Sequence, residues 1–281
     1  MRIANHRGRA VIVTGDPGAE SVVDIATASA GRFGPDPMDV FTRWDEFTAV
    51  AVDLIASGPA EPLVEADLGN PVPMPRQVFA IGLNYMLHVE ETGSKVPEVP
   101  ATFTKFPASL TGPFDDVELG SDSVDWEIEL VVVIGRRADR VAEADAWSHI
   151  AGYTIGQDIS DRHLQFAAGA QFSLGKSGRT YGPVGPWVVT LDEFADPNDL
   201  GLRCSLDGEV VQDSRTSDLI FSVPRLIAEL SAVLALLPGD IIFTGTPSGV
   251  GIGRKPARYL TSGEVIESWI EGIGTIRNRC R

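Results

Sequence analysis

"VDWEIELVVVIG", Val124–Gly135, decides how this chain folds. Read with a period of two, Trp126, Ile128, Leu130, Val132 and Ile134 share one face, and Asp125, Glu127, Glu129, Val131 and Val133 share the other. A strand that ends in a fully apolar run thus begins with three carboxylates on one face. Like charges at i and i+2 repel, and breaking a buried ion pair by removing one partner costs about 3–5 kcal/mol. Either that end of the strand is solvated or a cation sits beside it.

The rest of the chain bounds the answer. Its 281 residues are 43% hydrophobic and 22% charged, an ordinary globular balance. The net charge of −16 comes with no basic run, so no nucleic-acid partner is expected. The two cysteines, Cys204 and Cys280, lie far apart, and the four histidines form no cluster with them, which excludes a zinc finger. "MRIANHRGRAVIVTGD" lacks the apolar core of a leader, and no apolar run approaches the ~18 residues of a membrane span. A cytoplasmic protein with no membrane partner is expected.

Residues 1–72 read as a small α+β domain, with "AVIVTGD" as a strand and a helical apolar face over 39–57 ended by Gly58-Pro59. Pro71, Pro73 and Pro75 then mark a stiff, extended linker, and residues 73–281 form the larger domain. Strands are expected at 77–81, 101–105, 126–134, 150–157, 186–190, 202–206, 209–212, 240–244 and 265–270. Asp207-Gly208 is set for a two-residue hairpin, and a helix runs from Pro224 to Leu237. Strands do not alternate with helices, so the class is α+β, mainly β, and not a doubly wound sheet.

A second acidic element lies in "TIGQDISDRHLQ". If its strand pairs with Val124–Gly135, Glu127, Glu129 and Asp158 converge. Three carboxylates without Cys or His favour a hard ion, Mg²⁺ or Mn²⁺ (Ca²⁺ is also compatible). A charged, solvated strand edge would give the same pattern.

"AIGLNYMLHVEETG", "FTKFPASLTGP", "VDWEIELVVVIG", "AGYTIGQDISDRHLQ", "LGKSGRTYGPVGPWVVT", "LPGDIIFTGTPSGVG" and "EGIGTIRN" follow one another in this order. Together they resemble the fumarylacetoacetate hydrolase family over residues 76–278, with 1–75 similar to the variable N-terminal domain of bacterial members. The resemblance implies a roll of mixed β-sheets, a homodimer, and a divalent ion on Glu127, Glu129 and Asp158. It also implies catalytic roles for His88, Glu91 and Lys176. His88 and Glu91, three apart, fall on one helical face where the carboxylate can raise imidazole basicity. Lys176 would stabilise an oxyanion. Without the resemblance, His88 could be an exposed loop histidine and Lys176 a surface lysine in a glycine-flanked turn.

The remaining candidates are substrate contacts. Arg162 and Gln165 would orient ligand and carboxylates, Lys105 fits a pocket position, and Thr246 in "TGTPSGVG" would meet a substrate carboxylate. "GKSGRT" departs from the Gly-Lys-Ser-Phe-Asp common in the family, so Arg179 either meets a distal substrate group or points to water. The expected activity is hydrolysis of a C–C bond in a small β-diketo acid such as an acylpyruvate. The alternative is an isomerase, decarboxylase or hydratase that acts on a 2-oxo/2-hydroxy-dienoic acid through a metal-stabilised enolate. A non-catalytic metal-stabilised binding domain is a distant third.

Overall fold

The computed structural model describes all residues from Met1 to Arg281. Its frame is a 12-stranded sheet, whose main path runs 60–62, 21–24, 9–14, 2–6, 182–189, 150–157, 128–134, 241–243, 78–82 and 101–104. Most neighbours are antiparallel; 241–243 against 78–82 is parallel. A second sheet orders 209–215, 201–206, 265–270 and 274–279.

The two strips of the opening stretch separate two cores. Trp126, Ile128, Leu130, Val132 and Ile134 pack with Leu202, Leu206, Ile266 and Ile270 of the second sheet and with Leu226, Ile227 and Leu230 of the helix Val223–Val233. Val131 and Val133 face the other way, onto Phe41, Trp44, Phe47, Ile241 and Phe243. The strand is therefore central and covered on both faces, which explains its unbroken apolar end.

Residues 1–72 contribute strands at Arg2–His6, Arg9–Thr14 and Ser21–Asp24, and Arg2 and Ile3 pair with Val189 and Val188. These residues share a sheet and a core with the remainder of the chain. The apolar face over 39–57 is present, but three short helices, Pro37–Thr42, Trp44–Thr48 and Ala51–Ser57, carry it. Arg43 and Val50 break the run, both with φ −124°. The breaks bend the segment around an aromatic cluster, in which Trp44 stacks on Phe41 with centroids 6.2 Å apart. The hairpin at Asp207-Gly208 has positive φ at both residues, 47° and 87°, as its type requires. No helix is long and apolar enough to cross a membrane. Cys204 and Cys280 are buried free thiols, and burial pushes both up to about 12.

Candidate active site

Register creates the acidic cluster. Ile128 lies opposite Gln157, so Glu127 and Asp158 continue the two strands side by side, and Asp158 N–H donates to Glu127 C=O at 2.9 Å. The strand is interrupted at Trp126 and Glu127. There amide side chains replace the ladder: Gln157 Oε1 accepts from Glu127 N–H at 2.9 Å, and Gln212 Oε1 from Ile128 N–H at 3.0 Å. Carboxylate oxygens of Glu127, Glu129 and Asp158 all lie within 4.8 Å of one another, and all three residues are buried.

Cations answer most of this charge. Arg162 reaches Asp125 Oδ2 at 2.8 Å and Glu127 Oε1 at 2.7 Å. Lys176 Nζ lies 2.7 Å from Glu127 Oε2 and 2.8 Å from Asp158 Oδ2. Lys105 Nζ lies 2.7 Å from Asp158 Oδ1. Burial opposes ionisation of Glu127, yet Lys176, Arg162 and His88 hold it down to about 2. Burial likewise works against the Lys176 ammonium, but Asp158 and Glu127 keep it charged.

Glu129 is the exception. It pairs with no cation, and its one hydrogen bond is from Gly245 N–H at 2.7 Å, where the backbone adopts φ +104°. Burial, with Asp158 and Glu127 beside it, raises its pKa well above the usual carboxylate range. A buried carboxylate that neighbouring side chains do not neutralise, converging with two others and no sulfur or imidazole, fits a hard divalent ion.

Above the triad opens a cavity of about 370 Å³. His88, Glu91, Glu127, Arg162, Gln165, Lys176 and Thr246 line it, with an apolar wall that includes Phe103, Phe166 and Phe172. His88 and Glu91 share the helix Met86–Glu91, with His88 Nδ1 3.4 Å from Glu91 Oε2. Glu91 also accepts from Gly249 N–H at 3.0 Å, which fixes the carboxylate from its far side.

The structure thus gathers Glu127, Glu129, Asp158, His88, Glu91, Lys176, Arg162, Gln165 and Thr246 into one region, and two expected contacts fall elsewhere. Lys105 is enclosed, with its ammonium donating to Asp158, Lys176 C=O and Tyr181 C=O. All three of its donors are used, so it supports Asp158 from below and does not contact the cavity. Arg179 is exposed, forms no ion pair, and stays off the cavity wall, because Gly178 packs on the Tyr181 ring and Thr180 turns at φ 62°. Thr246 lines the cavity, but its hydroxyl donates to Ile128 C=O at 2.9 Å and accepts from Gln212 at 2.8 Å.

Three residues escaped the sequence reading as parts of the site. Asp125 accepts from Gly251 N–H at 2.7 Å and Ile252 N–H at 3.0 Å while it holds Arg162. Arg254 and Lys255, on the same turn, line the cavity. Asp125 was detectable as the third carboxylate of its strip; the two cations carried no motif.

The fumarylacetoacetate (FAA) hydrolase C-terminal family profile matches residues 77–281. The chain belongs to this family. It is 41% identical over 263 residues to the mitochondrial oxaloacetate tautomerase Fahd2a of Rattus norvegicus, covering 92% of this chain and 83% of that protein. Among solved structures, a Mycobacterium smegmatis protein provisionally called HpcE superposes with TM-score 0.93 at 49% identity, over 100% of this chain and 99% of that one. The 5-carboxymethyl-2-hydroxymuconate delta-isomerase of the same organism gives 0.78 at 36%, with the same coverage. Maleylpyruvate hydrolase from Sphingobium sp. SYK-6, solved with manganese(II) and pyruvate, gives 0.81 at 29%, over 100% and 98%. These similarities include tautomerase, isomerase and hydrolase, so the family alone does not fix the reaction.

Proposed function

We infer that this protein is a divalent-metal-dependent tautomerase or isomerase of a small 2-oxo acid, with proton transfer next to the carbonyl as the chemical step. The C–C hydrolysis expected from the sequence becomes the second reading. The observation that carries the inference is a His88–Glu91 pair and Lys176 on one cavity above a buried carboxylate triad, in a chain similar over most of its length to an oxaloacetate tautomerase.

Glu127, Glu129 and Asp158 would hold the ion; when bound, it supplies Lewis-acid polarisation of the 2-oxo group and its adjacent carboxylate. Glu91 beside Nδ1 favours the tautomer with the proton on that atom, which leaves Nε2 of His88 as the base. Nε2 takes a proton from the carbon next to the carbonyl: the C–H bond breaks, a C=C bond forms, and the electron pair moves to the 2-oxygen. Two protons of the Lys176 ammonium bind Glu127 and Asp158, and the third is free to meet that developing charge. Gln165 Oε1 is taken by Arg162 at 2.9 Å, which presents its Nε2 as a donor to the substrate carboxylate. The Thr246 hydroxyl is committed, so its backbone N–H is the donor it offers. Delivery of the proton to the 2-oxygen completes a keto-to-enol tautomerisation, and the reverse course breaks the enol O–H bond and places the proton on the carbon; delivery to a more distant carbon of a dienolate shifts a double bond.

The hydrolase reading is favoured by the likeness to maleylpyruvate hydrolase and by a dyad equally able to activate water. A product assay separates the two. The Mn²⁺-loaded protein is given enol-oxaloacetate and, separately, an acylpyruvate. Enol decay without pyruvate release supports the tautomerase. Stoichiometric pyruvate and carboxylic acid from the acylpyruvate, with no acceleration of enol decay, would replace it with the hydrolase.

A further inference from the structure

Arg162 and Lys176, the two cations nearest the triad, are already paired with Asp125, Glu127 and Asp158. Arg254 and Lys255 differ. Both line the cavity, on the turn that follows Gly251–Gly253. Lys255 is exposed and forms no ion pair within the protein. Arg254 has its guanidinium 5.6 Å from the centroid of the Trp126 ring, and its buried Nε–H donates to no protein atom. Its nearest carboxylate, Glu209, is 3.8 Å from Nη1, and Arg258 holds that carboxylate more closely, at 2.9 Å. Its one other contact is Nη2 with Val211 C=O at 3.4 Å.

A partly buried guanidinium whose terminal nitrogens reach protein oxygens only at 3.8 and 3.4 Å is a receptor for an anion, and its planar fork suits a carboxylate. The turn that carries it is anchored. Gly251 and Ile252 N–H both donate to Asp125, the carboxylate that also grips Arg162. The receptor is therefore held at a fixed place relative to the catalytic end, as a specificity contact needs.

We propose that Arg254, assisted by Lys255, binds the second carboxylate of a dicarboxylic 2-oxo acid and sets the substrate class. The proposal rests on the 2-oxo acid reading above and extends it: one end of the substrate lies over the triad and the other meets the 254–255 turn. It moves the distal recognition expected of Arg179 to a different loop.

The test compares oxaloacetate with its C4-methyl ester, which keeps the reacting end and removes the distal charge. In the Mn²⁺-loaded parent, kcat/KM should favour the diacid. Arg254→Ala should lower the diacid-to-ester ratio of kcat/KM by about 10–100-fold, mainly through KM, the range for a lost charge-assisted hydrogen bond. Arg254→Lys should recover part of the ratio, and Lys255→Ala should give a smaller loss. Calorimetric binding of 2-oxoglutarate against 2-oxobutanoate to the same proteins reads recognition without turnover. If the parent tautomerises both substrates and Arg254→Ala leaves the ratio and the binding preference unchanged, the Arg254 proposal falls and the tautomerase reading stands. If the parent turns over neither substrate but binds the diacid more tightly through Arg254, the tautomerase reading falls and the carboxylate site stands.

Discussion

Lys105 Nζ lies 2.7 Å from Asp158 Oδ1, and both side chains are closed off from solvent. The pair sits directly under the carboxylate cluster, so it sets the position of one of the three carboxylates that would hold the ion before any ion binds. Burial draws the Lys105 pKa down and Asp158 draws it up, with burial the larger influence. Replacing Lys105 by methionine keeps the volume and removes the charge. The variant should lose about 3–5 kcal/mol of stability, because Asp158 is left without one of its buried cations. Urea unfolding with chelator present measures this. Added Mn²⁺ should restore part of the loss, since an ion that binds only the folded state stabilises it. A variant as stable as the parent in chelator would show that Lys176 alone balances Asp158.

Glu129 gives the opposite sign. Its folded pKa is raised well above the ordinary 4.5, by burial first and then by Asp158 and Glu127. Between its unfolded and folded pKa values the folded state binds more protons, so its contribution to stability is lost as pH rises. Metal-free parent should therefore lose more stability above pH 4.5 than metal-free Glu129→Gln, which lacks this titration. Thermal melts of both proteins across pH, in chelator, read the difference. The same substitution should weaken Mn²⁺ binding by calorimetry. Parallel pH profiles for the two proteins would remove Glu129 as the uncompensated group.

His88 is the proton carrier of the proposed reaction. His88→Ala should lower kcat for enol-oxaloacetate decay by about 10²–10⁴-fold, the range for a lost general base, with Mn²⁺ affinity little changed. Glu91→Gln keeps the shape beside Nδ1 and loses only charge, so its effect should be smaller. Stopped-flow absorbance gives the rates, and calorimetry gives the affinity. A His88→Ala rate within a few-fold of the parent would assign proton transfer to another group.

Gly253 packs so closely on Glu91 that a Cβ there would overlap Glu91 Cγ and Cδ. Gly253→Ala should push Glu91 away from His88 and reduce kcat, while the carboxylate triad keeps its metal. A double substitution distinguishes this from simple misfolding. Once Gly253→Ala has displaced Glu91, adding Glu91→Gln should cost far less kcat than it does in the parent, because the same contact is lost only once. A full additional loss from Glu91→Gln would mean that the damage lies elsewhere.

Much of the site could be read in the chain because strand periodicity and short spacings carry it. Glu127 and Glu129 lie two apart, the first at the interruption of an extended stretch and the second on the strand beyond it, and His88 and Glu91 lie three apart on one helix. The roles of Lys105 and Arg179 were not readable in this way. What decides them is which side of Asp158 a chain segment passes, and how the 178–181 turn leaves the cavity. Arg254 and Lys255 had no local pattern; only a fold that brings the 251–255 turn to the cavity wall places them on the cavity that Glu127 lines. In the frame, the nine strand positions read between 77 and 270 match observed strands, whereas Gly274–Arg279 was missed. Four of the six residues of "GTIRNR" are polar and Ile276 is its one buried apolar side chain, so its place depends on pairing with Val265–Ile270. The breaks at Arg43 and Val50 were hidden because a bent helical segment preserves the same apolar spacing as a straight one.

Asp125 spends one carboxylate on two partners: the Arg162 guanidinium and the backbone of the 251–252 turn. With Arg254 reading the substrate as proposed, selectivity and reactivity are inheritable only together. A lineage that drifts toward a new substrate by reshaping the turn disturbs the residue that braces Glu127, and one that alters the catalytic end loosens the turn. Useful variation is then confined to side chains the turn displays, with its backbone left alone. Laboratory evolution of this scaffold toward new acids should accordingly accumulate changes at positions 254 and 255 while position 125 stays fixed.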